Sequence, residues 1–260
     1  LEEKAEVERI LRTLTIHVRA EEDHILESLA VVAQVDLISA KALYAEALGA
    51  RRPMMVLDHN LRIVKGRHPL LEQDPIVPLD IELGRDFTTL LITGPNTGGK
   101  TVALKTVCLF ALMAQAGLFL PAEEAVFPVF SGIYADIGDE QSIEQSLSTF
   151  SGHMKNMISI IREATDRDLV LVDEVCVGTD PTEGAALAMA MIEHFYKAHV
   201  LTIMTTHYSE LKTFAYEHEG MQNASVEFDP ETLRPTYRLL MAVPRSHNAV
   251  NNSRRMGLTQ

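Results

Sequence analysis

The chain has 260 residues, 47% hydrophobic and 23% charged, close to the averages of folded globular domains, which excludes a fibrous or largely disordered protein. That length can bury the core of one large α/β domain with a helical appendage, or of two small domains. Thirty-six acidic against 23 basic residues give a net charge of −13, so the average surface repels phosphate backbones, and these residues alone make a poor nucleic-acid binder unless basic groups cluster locally.

Residues 1 to 48 carry Leu11, Leu14, Val18, Ile25, Leu29 and Val32 at helical spacing among acidic and basic residues. Gly49, Arg51, Arg52 and Pro53 form a helix stop. This divides the chain into a helical arm over residues 1–50 and a core domain over 51–260. Met54 to Lys65, with Asp58-His59-Asn60 at its middle, predicts a hairpin. Beyond it strands and helices alternate: a strand over 88–93, a helix over 100–116, a strand over 169–172, a helix over 182–198 and a strand over 200–205. Such alternation implies a mostly parallel sheet flanked by helices. Two strands over 221–228 and 235–240 flank Asp229-Pro230-Glu231 and predict an antiparallel hairpin after the sheet.

Cys108 and Cys176 have no CxxC or histidine spacing around them, which argues against a disulfide framework or zinc site and for a reducing, cytoplasmic setting. The charged start and the interruption of the most apolar run, 107–120, by Gln115 and Gly117 leave neither a signal peptide nor a membrane span to expect. The missing initiator Met, and an end just after a helix-like segment, suggest a piece of something longer.

Gly94-Pro95-Asn96-Thr97-Gly98-Gly99-Lys100-Thr101 fits G-x-x-x-x-G-K-[ST] between a predicted strand and a predicted helix. Gly98 and Gly99 let the backbone wrap round phosphates, so that successive N–H groups and the helix N-terminus face them. Lys100 reaches the β and γ oxygens of ATP, and the Thr101 hydroxyl joins a magnesium (Mg2+) shell. The apolar stretch 169–172 ends in Asp173-Glu174; Asp173 suits the magnesium, and Glu174 suits a general base that polarises the attacking water. His207, at the end of the next strand, is placed to contact the γ-phosphate. His153, His194 and His199 lack such placement and read as surface or core histidines. Ser148-Thr149-Phe150-Ser151-Gly152 is by itself a serine-rich helix start. Its order after the phosphate loop and before the carboxylate strand, the Gly178-Thr179-Asp180-Pro181 turn and His207 is that of the ABC ATPases, in which such a turn completes the partner subunit's nucleotide site. A P-loop kinase or GTPase would share Lys100 and Thr101, but no Asn-Lys-x-Asp or Thr-Lys-x-Asp for guanine is present.

Three stretches carry a closer resemblance: Thr93 to Lys105, Ala135 to Ser151 and Thr205 to Lys212. Together with Arg67 to Leu71 and Asn223 to Asp229 they are similar to the MutS family, in its second bacterial branch. The resemblance covers nearly the whole chain. It implies an ABC-type P-loop fold and a homodimeric ATPase using ATP and magnesium, with Ser148 acting on the partner's γ-phosphate. Its cycle would drive a clamp on nucleic acid, branched DNA or ribosomal RNA, in a branch linked to suppressing recombination and rescuing collided ribosomes. The clamp would precede these residues and a nuclease domain of the Smr type would follow them; residues 1–48 would end the lever helices. Two departures stand out. Val175-Cys176-Val177-Gly178 replaces the small residues that usually follow the Asp-Glu pair, and Pro244-Arg245-Ser246-His247-Asn248-Ala249 lacks a usual glycine. They leave room for a nucleotide-dependent dimerisation scaffold with negligible turnover.

Overall fold

A computed structural model describes residues 2–71, 77–94, 98–138, 146–176, 180–229 and 234–241, with the side chains of 146–151, 228–229 and 234–235 left aside. The chain divides into two compact units, Leu1–Ala47 and Leu48–Gln260. The first consists of α1 (Glu2–Ala20) and α2 (Glu22–Ala47), which meet at Glu21 and bury no residue. Both helices open on acidic pairs, Glu2-Glu3 and Glu22-Asp23, which suit the positive ends of their dipoles. Leu11, Leu14, Val18, Ile25, Leu29 and Val32 are all exposed. Among the described residues no helix is long and apolar enough to cross a membrane.

The second unit is built on a six-stranded sheet of order β10-β9-β4-β8-β7-β6. Its members are β4 (Thr89–Thr93), β6 (Gly132–Asp136), β7 (Asp168–Val172), β8 (Leu201–Thr206), β9 (Met221–Asp229) and β10 (Arg234–Met241). All neighbours pair parallel except β9 with β10, an antiparallel hairpin whose register shifts between Pro235 and Leu239. The central strands read as unbroken apolar runs because both faces are covered. Leu90, Ile92, Leu169, Leu171, Leu201 and Ile203 point into one core beside α3 (Lys100–Gln115), with Phe110 and Phe127. Their strand neighbours Leu91, Val170, Val172 and Met204 point into the other, against α4 (Ser146–Glu163), α5 (Pro181–Lys197) and α6 (Ser209–Glu217). This split follows the two-residue period of a strand.

A second, four-stranded sheet has the order β1-β5-β2-β3, from β1 (Met54–Val56), β2 (Leu61–Gly66), β3 (Leu79–Leu83) and β5 (Glu124–Pro128). The hairpin expected over Met54 to Lys65 is therefore corrected. Both strands exist, and Asn60 N–H donates to Asp58 Oδ1 at the turn, but β5 lies between them, with Met54 and Arg62 both opposite Val126. Stepping over one strand spans about 10 Å, and the four residues Leu57 to Asn60 reach about 13 Å when extended. The insertion gives β5 two partners and keeps Ala125, Val126 and Phe127 buried.

Candidate functional site

Because β4, β7 and β8 run parallel and adjacent, their C-terminal ends emerge on one edge of the sheet. That edge collects Gly94, Asp173-Glu174 and His207, and the crevice outside such strand ends is where open α/β sheets bind ligands.

The loop after β4 turns sharply. Gly94 sits at φ 134°, where a Cβ would collide with the Val226 side chain, so a residue other than glycine would meet both strain and a clash. Gly99 caps α3 at φ 89° and supplies no capping side chain, which leaves the helix start suited to an anion. Lys100 is buried to 1% exposure and its ammonium donates to Gly94 O at 2.7 Å, folding the side chain along the loop. Burial pushes this ammonium's pKa down, and the nearby Glu174 and Asp173 carboxylates pull it back up. Gly98 is also described; Pro95, Asn96 and Thr97 lie outside the described residues.

The Thr101 hydroxyl donates to Asp173 Oδ2 at 2.5 Å, so the two residues expected at magnesium are brought together across the sheet edge. A hydroxyl and a carboxylate are hard oxygen donors, the kind that magnesium takes alongside water and phosphate. On its other side Asp173 Oδ1 accepts from the Thr205 hydroxyl at 2.5 Å, and Thr205 Oγ1 in turn accepts the Glu174 N–H at 2.7 Å. Thr205 is fully buried. One hydroxyl on β8 thus aims the first carboxylate and anchors the backbone of the second.

That anchoring matters because the turn after β7 is strained. Glu174 and Cys176 occupy left-handed backbone, at φ 49° and 60°, where non-glycine residues cost on the order of 1–3 kcal/mol each. Besides Thr205 Oγ1, the turn is held by Val175 N–H donating to Thr205 O at 3.2 Å and by the Tyr208 hydroxyl donating to Cys176 O at 2.9 Å. Gly184 on α5 makes room for that hydroxyl, since a Cβ there would strike it. The bulkier Val175 and Cys176 of this chain are accommodated inward: Val175 is buried, and the Cys176 thiol, its pKa pushed up to about 11 by burial, lies 3.8 Å from Met191 Sδ. Asp180 then caps α5, accepting N–H bonds from Thr182 at 2.9 Å and Glu183 at 3.2 Å.

Glu174 Oε1 lies 3.0 Å from His207 Nε2, with both side chains partly open to solvent, so the two residues expected to act at the γ-phosphate share one corner of the edge. Ser148 lies in the first turn of α4, whose backbone is helical from Ser146; its side chain is outside the described ones. Sequence reasoning missed Thr205 as part of the site, and it read His153 as a plain surface or core residue. His153 on α4 is a half-buried surface histidine that meets Asp136 at the end of β6, beside Asp173.

The model for MutS domain V matches residues 90–253. The chain is 56% identical over 259 residues to the endonuclease MutS2 of Shouchella clausii, covering 99% of this chain and 33% of that protein. It is 57% identical over 260 residues to the endonuclease MutS2 of Symbiobacterium thermophilum, covering 100% and 33%. The putative endonuclease MutS2 of Bacillus subtilis is 53% identical over 259 residues, covering 99% and 33%. The chain therefore spans about a third of the length of the curated relatives it matches. With a P-loop α/β fold, a domain V match over most of its length and such relatives, this chain belongs to the MutS family, in its MutS2 branch, and carries that family's ATPase domain.

Proposed function

We propose that this domain binds ATP with magnesium and hydrolyses it at sites shared between the two subunits of a homodimer. The observation that carries this reading is the single sheet edge on which Lys100, the Thr101–Asp173–Thr205 chain and the Glu174–His207 pair converge. Gly94 to Lys100 cradle the phosphates, with Pro95, Asn96 and Thr97 taking part through the loop backbone, and Lys100 neutralises β- and γ-phosphate charge. Thr101 and Asp173 hold magnesium, which when bound offsets the charge on the transferred phosphoryl group. Glu174 accepts a proton from the attacking water. His207 holds the Glu174 carboxylate and faces the γ-phosphate, while Ser148 from the partner closes the site.

In the longer protein the cycle would drive a nucleic-acid clamp on branched DNA or ribosomal RNA, in a cytoplasmic protein that suppresses recombination or rescues ribosomes. The endonuclease activity in the relatives' names would belong to the Smr-type domain that the family resemblance places after the ATPase domain; we do not assign it to residues 1–260.

Phosphate release and ATP binding measured on the same samples test the reading. Wild type should hydrolyse ATP, and Glu174→Gln should bind it near normally while turnover falls by roughly 10²-fold or more. Unchanged turnover in that variant rejects Glu174 as the base. Nucleotide binding with no phosphate release by wild type would identify a dimerisation scaffold instead.

A further inference from the structure

Asp136 is the last residue of β6 and lies opposite Val172, the residue just before Asp173. Its main-chain carbonyl accepts the Asp173 N–H at 2.9 Å. Its carboxylate faces the other way, toward α4. Oδ2 lies 2.9 Å from His153 Nδ1, and Oδ1 accepts from Asn156 Nδ2 at 2.9 Å. His153 and Asn156 are three apart on one helix and so share a face. The Asp136 side chain is 11% exposed and that of His153 30%, while Asn156 is exposed, so the carboxylate itself is shielded and its helix partners reach the surface. Gly138 lies close by, and even a Cβ there would only touch the His153 ring, at 3.6 Å.

One residue therefore bonds through its backbone to the carboxylate strand and through its side chain to the helix whose first turn carries Ser148. We propose that Asp136 is a positioning residue that fixes α4, and with it the serine turn, relative to the Asp173 edge, so that its side chain serves the partner subunit's nucleotide site rather than its own. This rests on the shared-site reading above. The division of labour follows from the two bonds: truncating the side chain frees α4 but leaves the carbonyl that accepts from Asp173 N–H, so the subunit's own magnesium edge is preserved.

The test uses Asp136→Ala and, separately, the pair His153→Ala with Asn156→Ala, which removes the helix side of the joint from a surface where folding is not at stake. Each should keep ATP affinity within about twofold and lower turnover by roughly 10- to 100-fold, since small misplacements of a catalytic group cost that much. A merely structural role would lower affinity and turnover together. Asp136→Ala subunits are then mixed with Lys100→Ala subunits. In a mixed dimer the Asp136→Ala subunit supplies an intact phosphate loop and the Lys100→Ala subunit an intact serine turn. Random pairing makes half the dimers mixed, each with one complete site, so activity should return to about a quarter of wild type.

Ser148→Ala mixed with Lys100→Ala is the control for the shared site. Recovery in the control without recovery for Asp136→Ala would show that Asp136 serves its own subunit and overturn the proposal, leaving the shared site standing. Recovery in neither mixture would refute the shared site and the proposal together. Wild-type turnover in both joint variants would also overturn it.

Discussion

Replacing Thr205 by Val keeps the size and branching of a fully buried side chain and removes only the hydroxyl. Two bonds go with it: the donor to Asp173 Oδ1 at 2.5 Å and the acceptor for Glu174 N–H at 2.7 Å. A hydrogen bond to a charged group contributes about 1.5–3 kcal/mol, and an orphaned N–H costs about 1–3 kcal/mol. The Glu174 turn is half-buried and can recruit water, so the lower ends apply and the sum is about 2.5 kcal/mol. For a unit of this size each kcal/mol moves the melting temperature by about 2–4 °C, which gives a loss of roughly 5–10 °C. Thr205→Ser keeps both bonds and gives up one buried methyl, about 0.8 kcal/mol, so it should melt only about 2–3 °C low. Differential scanning calorimetry of the two variants beside wild type measures the contrast, and phosphate release should fall for Val but not for Ser. If Thr205→Val melts within 2 °C of wild type, or if Ser and Val behave alike, the hydroxyl does not hold this edge together.

Lys100→Ala removes the one buried ammonium along the phosphate loop, and a fluorescent ATP analogue should show no saturable binding to it. Gly94→Ala places a Cβ against Val226 at φ 134°, so it should destabilise the domain by about 2 kcal/mol or more in urea unfolding. Adding Val226→Ala should recover the part due to the clash but not the part due to the backbone, a coupling that a double-mutant cycle reads directly. Asp180→Ala loses the α5 cap and should cost about 1 kcal/mol, seen as a shift of about 2–4 °C in thermal unfolding.

The parts of the site readable in the sequence are those whose chemistry sits in neighbouring residues. Lys100 follows its glycines directly, and Asp173-Glu174 ends a short apolar run of the kind a strand buried on both faces contains. Thr205, Asp136 and His153 bond to partners far along the chain, and a threonine in a buried strand or a histidine on a helix carries no local mark of such a partner. The first sheet was misread for a related reason: a four-residue link between two strands suits a hairpin and a step over a third strand equally well, and only the burial of β5 decides. The positive φ at Glu174 and Cys176 was equally invisible, because the sequence has no glycine at either position and the strain is held by Thr205 and Tyr208. The departure at the far end, Pro244 to Ala249, and the helix-like segment after it lie outside the described residues.

In the proposed cycle ATP joins two copies of this domain, Lys100 of one to Ser148 of the other, and Glu174 ends that state by hydrolysis. Sedimentation of Glu174→Gln at a few micromolar, without nucleotide and with ATP and magnesium, tests it most directly. The expected result is a monomer or weak dimer without nucleotide and a firm, lasting dimer with it, abolished by adding Lys100→Ala. A tight dimer in the nucleotide-free sample that ATP leaves unchanged would contradict it and show that another surface, such as the helices of residues 1–48, holds the pair.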